Sequence, residues 1–492
     1  MASSIQRDTV YNLGGSLFSI VVSLITVPLY LHAIGEARYG VLAIVWLFTG
    51  YFGVFDLGMA RAAAYHIARQ QDAPASARTS TFWTATWLNL GFGLVGGVVL
   101  YAIAVPVFAH TFNMPHDLRP EVIASLPWVA ASLPLATLSG VLVGTLQARK
   151  RFVLVNTIGA VNTTLTQLIP LGVALWYGPD LVWLIPAVVL SRAVGLLPLI
   201  IGVWRCLPIV LSPLFDRANA RSLLAYGGWI TLSNILAPIL VTLDRMIIGV
   251  LLSAQAVAYY SVPYNLVTRL SILPSALSGS LFPRFASSEP AVAKQLAARG
   301  VLLLSAVLTI FAVVGIAALP LFLHYWISPD FSRHAAPTGM ILMMGVWING
   351  IAYIPYGLLQ AQNRPDLTAK FHLIELPPFL LILWTGIHWF GLEGAAMAWT
   401  LRNSGDTLLL FYATHQLALL RRLAIPAGLI ILALVSAPVT LLSINTVLAL
   451  GIILLSLIWS LRSAPELRAL LSSKLTINRS LLRCLKEKTN EQ

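Results

Sequence analysis

Four arginines lie within long apolar stretches of the sequence, where an ionised side chain is costly. They are Arg192, Arg245, Arg269 and Arg402. A charge that faces lipid at the bilayer centre costs about 2.5–3.5 kcal/mol on insertion scales, so four would cost about 10–14 kcal/mol. We therefore expect these side chains to face the protein interior, to pair with an acid, or to lie nearer an interface. In a watery cavity, a guanidinium binds phosphate through two parallel hydrogen bonds.

Helical spacing indicates which of these arginines a nearby acid can neutralise. Residues three or four apart share a helix face, and Asp406 follows Arg402 by four residues. Arg192 in VVLSRAVGL and Arg269 in NLVTRLSIL have no acid within four positions. Both are therefore predicted to bind an anionic, phosphate-bearing cargo, with structural pairing to another segment as the alternative. For Arg402, pairing with Asp406 is the alternative to binding cargo.

The remaining arginine, Arg245, directly follows Asp244. Adjacent side chains of a helix point about 100° apart, so the sequence predicts poor pairing between these two residues. Arg245 is therefore a further candidate for binding cargo. An ion pair with an acid of another segment, such as Asp56, is equally compatible with the sequence.

Four acids also lie within apolar stretches: Asp56, Asp244, Glu375 and Asp406. Acids at membrane depth can carry a coupling ion or proton, although neutralisation of the arginines is the interpretation that the sequence favours. Glu375 precedes Pro377-Pro378, which mark either a plain kink or a cation site beside freed backbone carbonyls. The nine histidines show no metal-ligand spacing, and no Gly-rich phosphate loop occurs. We therefore predict no metal site, no cofactor and no ATP hydrolysis.

The elements that carry these residues are long apolar segments. Of the 492 residues, 58% are hydrophobic and 10% are charged, with a mean hydropathy of +0.83, whereas about 25% of residues are charged in a soluble protein. Windows of about 20 apolar residues predict an all-α polytopic membrane protein with fourteen spans. The spans run over about 10–32, 39–65, 80–109, 121–148, 152–177, 181–204, 222–252, 257–283, 298–325, 337–362, 371–389, 394–418, 423–443 and 446–461.

Positive charge is concentrated on one side of these spans. Of the 31 Lys and Arg residues, 24 fall in loops or span ends on the side of the N-terminus, three on the opposite side and four well inside spans. Positive residues collect in cytoplasmic loops, so both termini are predicted to be cytoplasmic. The same bias accounts for the net charge of +13 without a nucleic-acid partner. The first apolar run is too long for a signal peptide and is interpreted as a retained span.

A short phrase of the sequence occurs twice. GTLQARKR at 144–151 matches GLLQAQNR at 357–364, an offset of 213 residues, and WYGPD at 176–180 matches WFGLE at 389–393 at the same offset. The offset covers six spans, an even number, so it predicts two parallel six-helix repeats, a layout typical of carriers that alternate their access. The predicted divisions are repeats at 1–205 and 222–420, a cytoplasmic linker at 206–221, two additional spans at 421–462 and a basic tail at 463–492.

Further phrases carry a family resemblance. Tyr39-Gly40 opens span 2, Asp56-Leu57-Gly58 lies within it, and DRMIIG at 244–249 closes span 7. With the duplicated bundle, over about residues 5–462, the chain resembles the polysaccharide transporters of the MOP superfamily, which include the Wzx-type O-antigen flippases. The MurJ flippases and MATE transporters are more distant relatives.

The resemblance implies a multi-pass protein of the bacterial inner membrane that moves an undecaprenyl-diphosphate-linked oligosaccharide for surface polysaccharide biosynthesis. Its implied partners are this cargo, membrane lipids and the polysaccharide polymerase machinery. A sugar polymerase or ligase is disfavoured because the longest outer loops span only about a dozen residues. A MATE-like, cation-coupled multidrug exporter and a MurJ-like lipid II flippase are the alternative functions.

Overall fold

The computed structural model describes residues 2–50, 58–70, 74–207, 215–221, 223–224, 242–436 and 444–465. Within these ranges the chain is almost entirely helical, and no strand occurs. A helix pairs the backbone amides and carbonyls of an apolar segment internally, which hydrocarbon requires because it offers no water to hydrogen-bond them. Each of the fourteen predicted spans is mostly helical where it is described, and the exceptions are turn residues such as Gly58 and Thr414.

The chain divides into two compact units, 1–261 and 262–492. The helices of the first unit are α1 Ala2–Gly50, α2 Met59–Arg69, α3 Ala75–Pro106, α4 Leu118–Ala148, α5 Phe152–Tyr177, α6 Leu181–Cys206 and α7, described over 242–251. The boundary between the units falls within α8, Ala254–Val267. The core of the first unit includes buried side chains of α2, α3, α4 and α6, among them Met59, Phe82, Leu146 and Val203.

The second unit continues span 8 through a 3₁₀ turn, Thr268–Ser271. Its helices are α9 Ile272–Ser287, α10 Pro290–Trp326, α11 Pro329–Ala361, α12 Pro365–Ala413, α13 Leu420–Val435 and α14 Ile444–Ser463. Helix α14 is joined to α10 by a hydrogen bond of 2.7 Å from the Ser460 hydroxyl to the Ala306 carbonyl.

Two of these helices contain two spans each. Gly35 in α1 and Gly391 in α12 have non-helical backbone angles, with φ of 76° and 58°. Glycine adopts such positive φ values readily because it has no Cβ. Helix α1 therefore holds span 1 and the first part of span 2, and α12 holds spans 11 and 12.

Equivalent turns of the two repeats share an unusual backbone conformation. Lys150 and Asn363, which are 213 residues apart, both have a left-handed φ of 59°. Gly178 and Gly391, at the same separation, both have positive φ. The hydrogen bonds that close the first pair of turns also match: Arg151 N–H to the Leu146 carbonyl at 3.0 Å, and Arg364 N–H to the Leu359 carbonyl at 3.0 Å. The helix ends therefore repeat in backbone conformation and hydrogen bonding at the 213-residue offset.

The first residue of the repeated phrase is a glycine because another helix passes it closely. A Cβ atom on Gly144 would overlap the carbonyl oxygen of Ala60 in α2. In the second repeat, a Cβ atom on Gly357 would lie 2.6 Å from the Ser278 hydroxyl in α9. The phrase therefore marks where the fourth span of each repeat crosses the second.

Replacing Gly144 by alanine should destabilise the protein. The added methyl group meets backbone, which cannot rotate away, so Gly144→Ala is expected to cost about 1–3 kcal/mol. Thermal unfolding of the purified protein in detergent measures the effect. Gly159→Ala in α5 is the matched control, because its methyl group enters open space. Equal melting temperatures for the two variants would contradict the close crossing.

Candidate functional site

Arg192 lies in the middle of α6 and has no acidic partner in the part of the chain that the structure describes. Its side chain is half-buried, and its Nε is buried and has no hydrogen-bond acceptor. No ion pair involves Arg192 among the described residues. A buried guanidinium without an acceptor is costly unless an anion or water binds it. The structure therefore agrees with the sequence-based expectation that no neighbouring acid on its own helix pairs with Arg192.

Arg269 lies in the 3₁₀ turn between α8 and α9. Its side chain is exposed in the described part of the chain, and no acid there pairs with it. A 3₁₀ stretch inside a long helix often marks a hinge. The equivalent position in the first repeat, 213 residues earlier, is Asp56. Asp56 comes two residues before Gly58, which has a φ of 73° and directly precedes α2. Asp56 itself lies outside the described residues.

Arg245 pairs closely with Asp244, contrary to the prediction from their adjacent positions. The guanidinium Nη1 lies 2.9 Å from Asp244 Oδ1, and both residues are buried. The prediction was wrong because it considered only the directions of the two Cβ atoms, whereas the long arginine side chain curls back to its neighbour. The Tyr260 hydroxyl donates to Asp244 Oδ2 at 2.9 Å, and the Tyr260 ring lies 5.5 Å from the guanidinium carbon.

Arg402 and Asp406 do not form the ion pair that their spacing allows. The Arg402 Nη2 donates to Asn403 Oδ1 at 3.3 Å, and the guanidinium carbon lies 5.6 Å from the centre of the Phe379 ring. The Arg402 Nε and Nη1 are buried and have no acceptor. The side chain is therefore directed to an aromatic ring and an amide, which leaves Asp406 to other neighbours.

Those neighbours form a cluster of His372, Glu375 and Asp406, whose candidate ligand atoms all lie within 4.8 Å of one another. His372 Nδ1 is 3.9 Å from Glu375 Oε2. Glu375 is 6% exposed, and neither of its carboxylate oxygens has a hydrogen-bond donor. The bend at Gly391 brings the cluster together, since His372 and Glu375 precede it in α12 and Asp406 follows it.

The two arms of α12 also pack closely against each other near Gly391. A Cβ atom on Gly394 would overlap the Gly386 backbone, and one on Gly386 would lie 2.8 Å from the Gly394 carbonyl oxygen. The two spans therefore pack backbone to backbone beside the bend. Glycine at both positions permits this approach.

His372 was not among the predicted site residues, because metal-ligand spacing along the chain does not join residues of different spans. The available signal was HLIE at 372–375, which places an imidazole and a carboxylate one helical turn apart. The third member, Asp406, comes from the next span. The prediction that no metal site exists did not consider this combination, which can bind a cation through one nitrogen and carboxylate oxygens.

Comparisons with solved structures define the class of fold. The chain is similar to lipid II flippase MurJ in an inward closed conformation, with a TM-score of 0.70 and 10% identity, covering 91% of this chain and 98% of that one. It is also similar to an inward-facing multidrug resistance MATE family transporter of the MOP superfamily, with a TM-score of 0.63 and 13% identity, covering 84% and 99%. The protein has a MOP-type transporter fold.

Sequence comparison gives the family. The model described as "Polysaccharide biosynthesis protein" matches residues 5–289, more than half of the chain. A Shigella flexneri protein named "Putative O-antigen transporter" is 26% identical over 410 residues, which are 83% of this chain and 97% of that protein. The chain belongs to the polysaccharide biosynthesis protein family, and it is a membrane-embedded protein.

Breaking the buried pair of Asp244 and Arg245 should strongly destabilise the protein. Asp244→Ala leaves a buried guanidinium without this counter-ion, which typically costs about 3–5 kcal/mol. Tyr260→Phe removes a single hydrogen bond to the pair and is expected to cost about 1 kcal/mol. Melting temperatures and folded yields in detergent measure both effects.

Asp366→Ala serves as the control, because Asp366 pairs with Arg364 at 3.6 Å and Lys370 at 3.3 Å on the exposed surface. Exposed ion pairs contribute little to stability, so this variant should melt close to the wild type. A loss for Asp244→Ala no larger than that for Asp366→Ala would contradict a structural role of the buried pair.

Proposed function

We propose that the protein is a flippase that moves an undecaprenyl-diphosphate-linked oligosaccharide across the bacterial cytoplasmic membrane for surface polysaccharide biosynthesis, without itself catalysing a reaction. Family membership and the name of the Shigella relative support the class of cargo. The duplicated bundle supports movement by alternating access. The strong excess of positive residues on one side supports cytoplasmic termini.

The observation that carries the choice of cargo is Arg192 of α6, which has no acidic partner within the described ranges. A transporter of cationic drugs would favour acids in its cavity, whereas a guanidinium inside a span suits an anion. Arg269, at the break in span 8, and Arg402 are two further intramembrane cations that form no ion pair among the described residues. A lipid diphosphate presents several oxygens that guanidinium groups bind in pairs.

Deletion of the gene in its host tests the function directly. The proposal expects lipid-linked oligosaccharides to accumulate on the cytoplasmic leaflet and to return to normal when the wild-type gene is restored. Mass spectrometry of the pool, with a leaflet-selective label, measures both. An unchanged pool together with new sensitivity to cationic dyes would instead favour a drug exporter.

Complementation of that strain tests the arginines. Arg192→Ala and Arg269→Ala should each reduce transport at normal membrane abundance, by about tenfold if each loses one charge-assisted contact of about 1.5 kcal/mol. Lysine at either position should restore activity only in part, because it lacks the planar fork of the guanidinium. Arg333→Ala, at an exposed position of α11, is the control and should retain activity. Full activity of both alanine variants would contradict a role in binding cargo.

We further propose that the cluster of His372, Glu375 and Asp406 couples transport to a cation, either Na⁺ or a proton. Two carboxylates this close repel each other unless a positive charge lies between them. Arg402, one helical turn from Asp406, does not supply that charge through an ion pair. A proton or a small cation bound among these side chains would do so, and the imidazole of His372 can accept a proton or act as a ligand.

Neutral variants of the cluster should uncouple transport from its driving gradient. In proteoliposomes with lipid-linked cargo, wild-type transport is expected to respond to an imposed Na⁺ or pH gradient. Glu375→Gln and Asp406→Asn should abolish that response, since an amide cannot exchange a proton or hold a cation by charge. Glu289→Gln, at an exposed acid of the same unit, is the control. A gradient response that survives in both cluster variants would refute the coupling role.

A further inference from the structure

A cationic cavity opens at the ends of α5 and α6 in the first unit, apart from the arginines discussed above. Its volume is about 840 Å³. Three of its lining residues carry positive charge: Lys150 and Arg151, in the turn before α5, and Arg205, near the end of α6. No acidic residue is among the described residues that line it. None of the three cations forms an ion pair among the described residues.

The cavity combines this charge with an apolar wall. Leu154 and Ile158 of α5 face Pro198 and Ile201 of α6 across it. Helix α5 begins at Phe152 beside the three cations, and the start of a helix adds partial positive charge from its free N–H groups. The cavity thus presents an anion-binding end next to aliphatic side chains.

The second repeat provides an internal comparison for the charges. The positions equivalent to Lys150 and Arg205 are Asn363 and Ala418, neither of which is charged. An acid, Asp366, enters at the position equivalent to Val153 and pairs with neighbouring cations at 3.6 and 3.3 Å. At these positions the positive charge of the second repeat is therefore largely balanced by an acid, whereas the positive charge of the first repeat is not.

The walls of the cavity also differ from their counterparts. Phe371 and Phe411 stand at the positions equivalent to Ile158 and Pro198, and Phe411 is fully buried. Helix α12 ends at Ala413, whereas α6 extends to Cys206, the counterpart of Leu419, and is about two turns longer. The longer α6 forms one wall of the cavity and carries Arg205.

The backbone at Lys150 supports the same conclusion. Its left-handed φ of 59° is a conformation that glycine and asparagine tolerate better than lysine. The second repeat has asparagine there, in the same conformation. Lysine in the first repeat brings a cation to the mouth of the cavity at some cost in backbone energy, which is characteristic of functional positions.

We infer that this cavity binds an anionic glycerophospholipid of the adjacent leaflet, with its phosphate among Lys150, Arg151 and Arg205 and an acyl chain along α5 and α6. The lining favours this occupant over the lipid-linked cargo. An oligosaccharide needs hydrogen-bonding amides or aromatic faces, whereas the lining offers one hydroxyl, that of Thr157, besides the cations. The site is distinct from the intramembrane arginines and does not depend on the identity of the cargo.

Lipid binding to the purified full-length protein tests the inference. Native mass spectrometry with added phosphatidylglycerol or phosphatidylcholine should show preferential retention of the anionic lipid. Lys150→Gln/Arg151→Gln/Arg205→Gln should weaken that binding by at least about tenfold, because each cation near an anionic headgroup contributes about 1 kcal/mol. Thr157→Trp should also weaken it, since the indole fills the acyl groove and leaves the charges intact.

The matched control is Arg284→Gln/Arg421→Gln/Arg422→Gln, which removes three exposed cations elsewhere. It should change phosphatidylglycerol binding by less than about twofold. Equal binding of the two lipids, or equal loss in the two triple variants, would overturn the inference. Retention of undecaprenyl diphosphate in place of phosphatidylglycerol would overturn it as well, because the cavity would then belong to the cargo.

Discussion

The structure depends on one constraint: hydrocarbon supplies no hydrogen bonds, so every polar group within the membrane needs a partner from the protein or from a ligand. The backbone meets this requirement by forming helices. Arg245 meets it through Asp244, and a tyrosine completes the acid's hydrogen bonding. Arg192 has no such partner among the described residues. The same constraint makes Arg245 a structural residue and Arg192 a candidate for binding a charged ligand. The two arginines look alike in the sequence and differ in whether the protein supplies a partner for the guanidinium.

Duplication preserved the scaffold and changed its chemistry. Lys150 and Asn363 close equivalent turns with the same φ, yet they differ in charge. Asn162 of α5 donates to the Gly195 carbonyl at 3.1 Å and is neutral, whereas its counterpart in the second repeat is Glu375, which meets Asp406. Among the described residues, the cluster of two acids and a histidine occurs in the second repeat alone, although both repeats place a polar side chain at this crossing of their fifth and sixth spans. Such asymmetry lets two similar bundles perform different tasks.

The spans and the repeat could be predicted from the sequence because they depend on properties that extend over many residues. A span is recognised from the mean hydropathy of about 20 residues, and the offset of 213 residues recurs in several phrases. The polar contacts could not be predicted in the same way. The ion pair of Asp244 depends on how one flexible side chain curls back, and Asp406 prefers His372 and Glu375 to Arg402 because a bend at Gly391 folds one helix onto itself. Neither the conformer nor the bend appears in a periodic pattern.

The distribution of charge along the first repeat suggests how lipid contact and transport are kept apart. Cations near the end of α6 lie close to the membrane surface, where water screens them and exposed arginine is inexpensive. Arg192 lies on the same helix about halfway along, where burial removes that screening and makes its charge matter more. A lipid phosphate at the surface and an anion at mid-span therefore experience very different fields from the same helix. A binding site at the surface can be broad and weakly selective, whereas one at mid-span has to be matched to its ligand. Under the two proposals made above, this difference in depth would let α6 hold both ligands without one displacing the other.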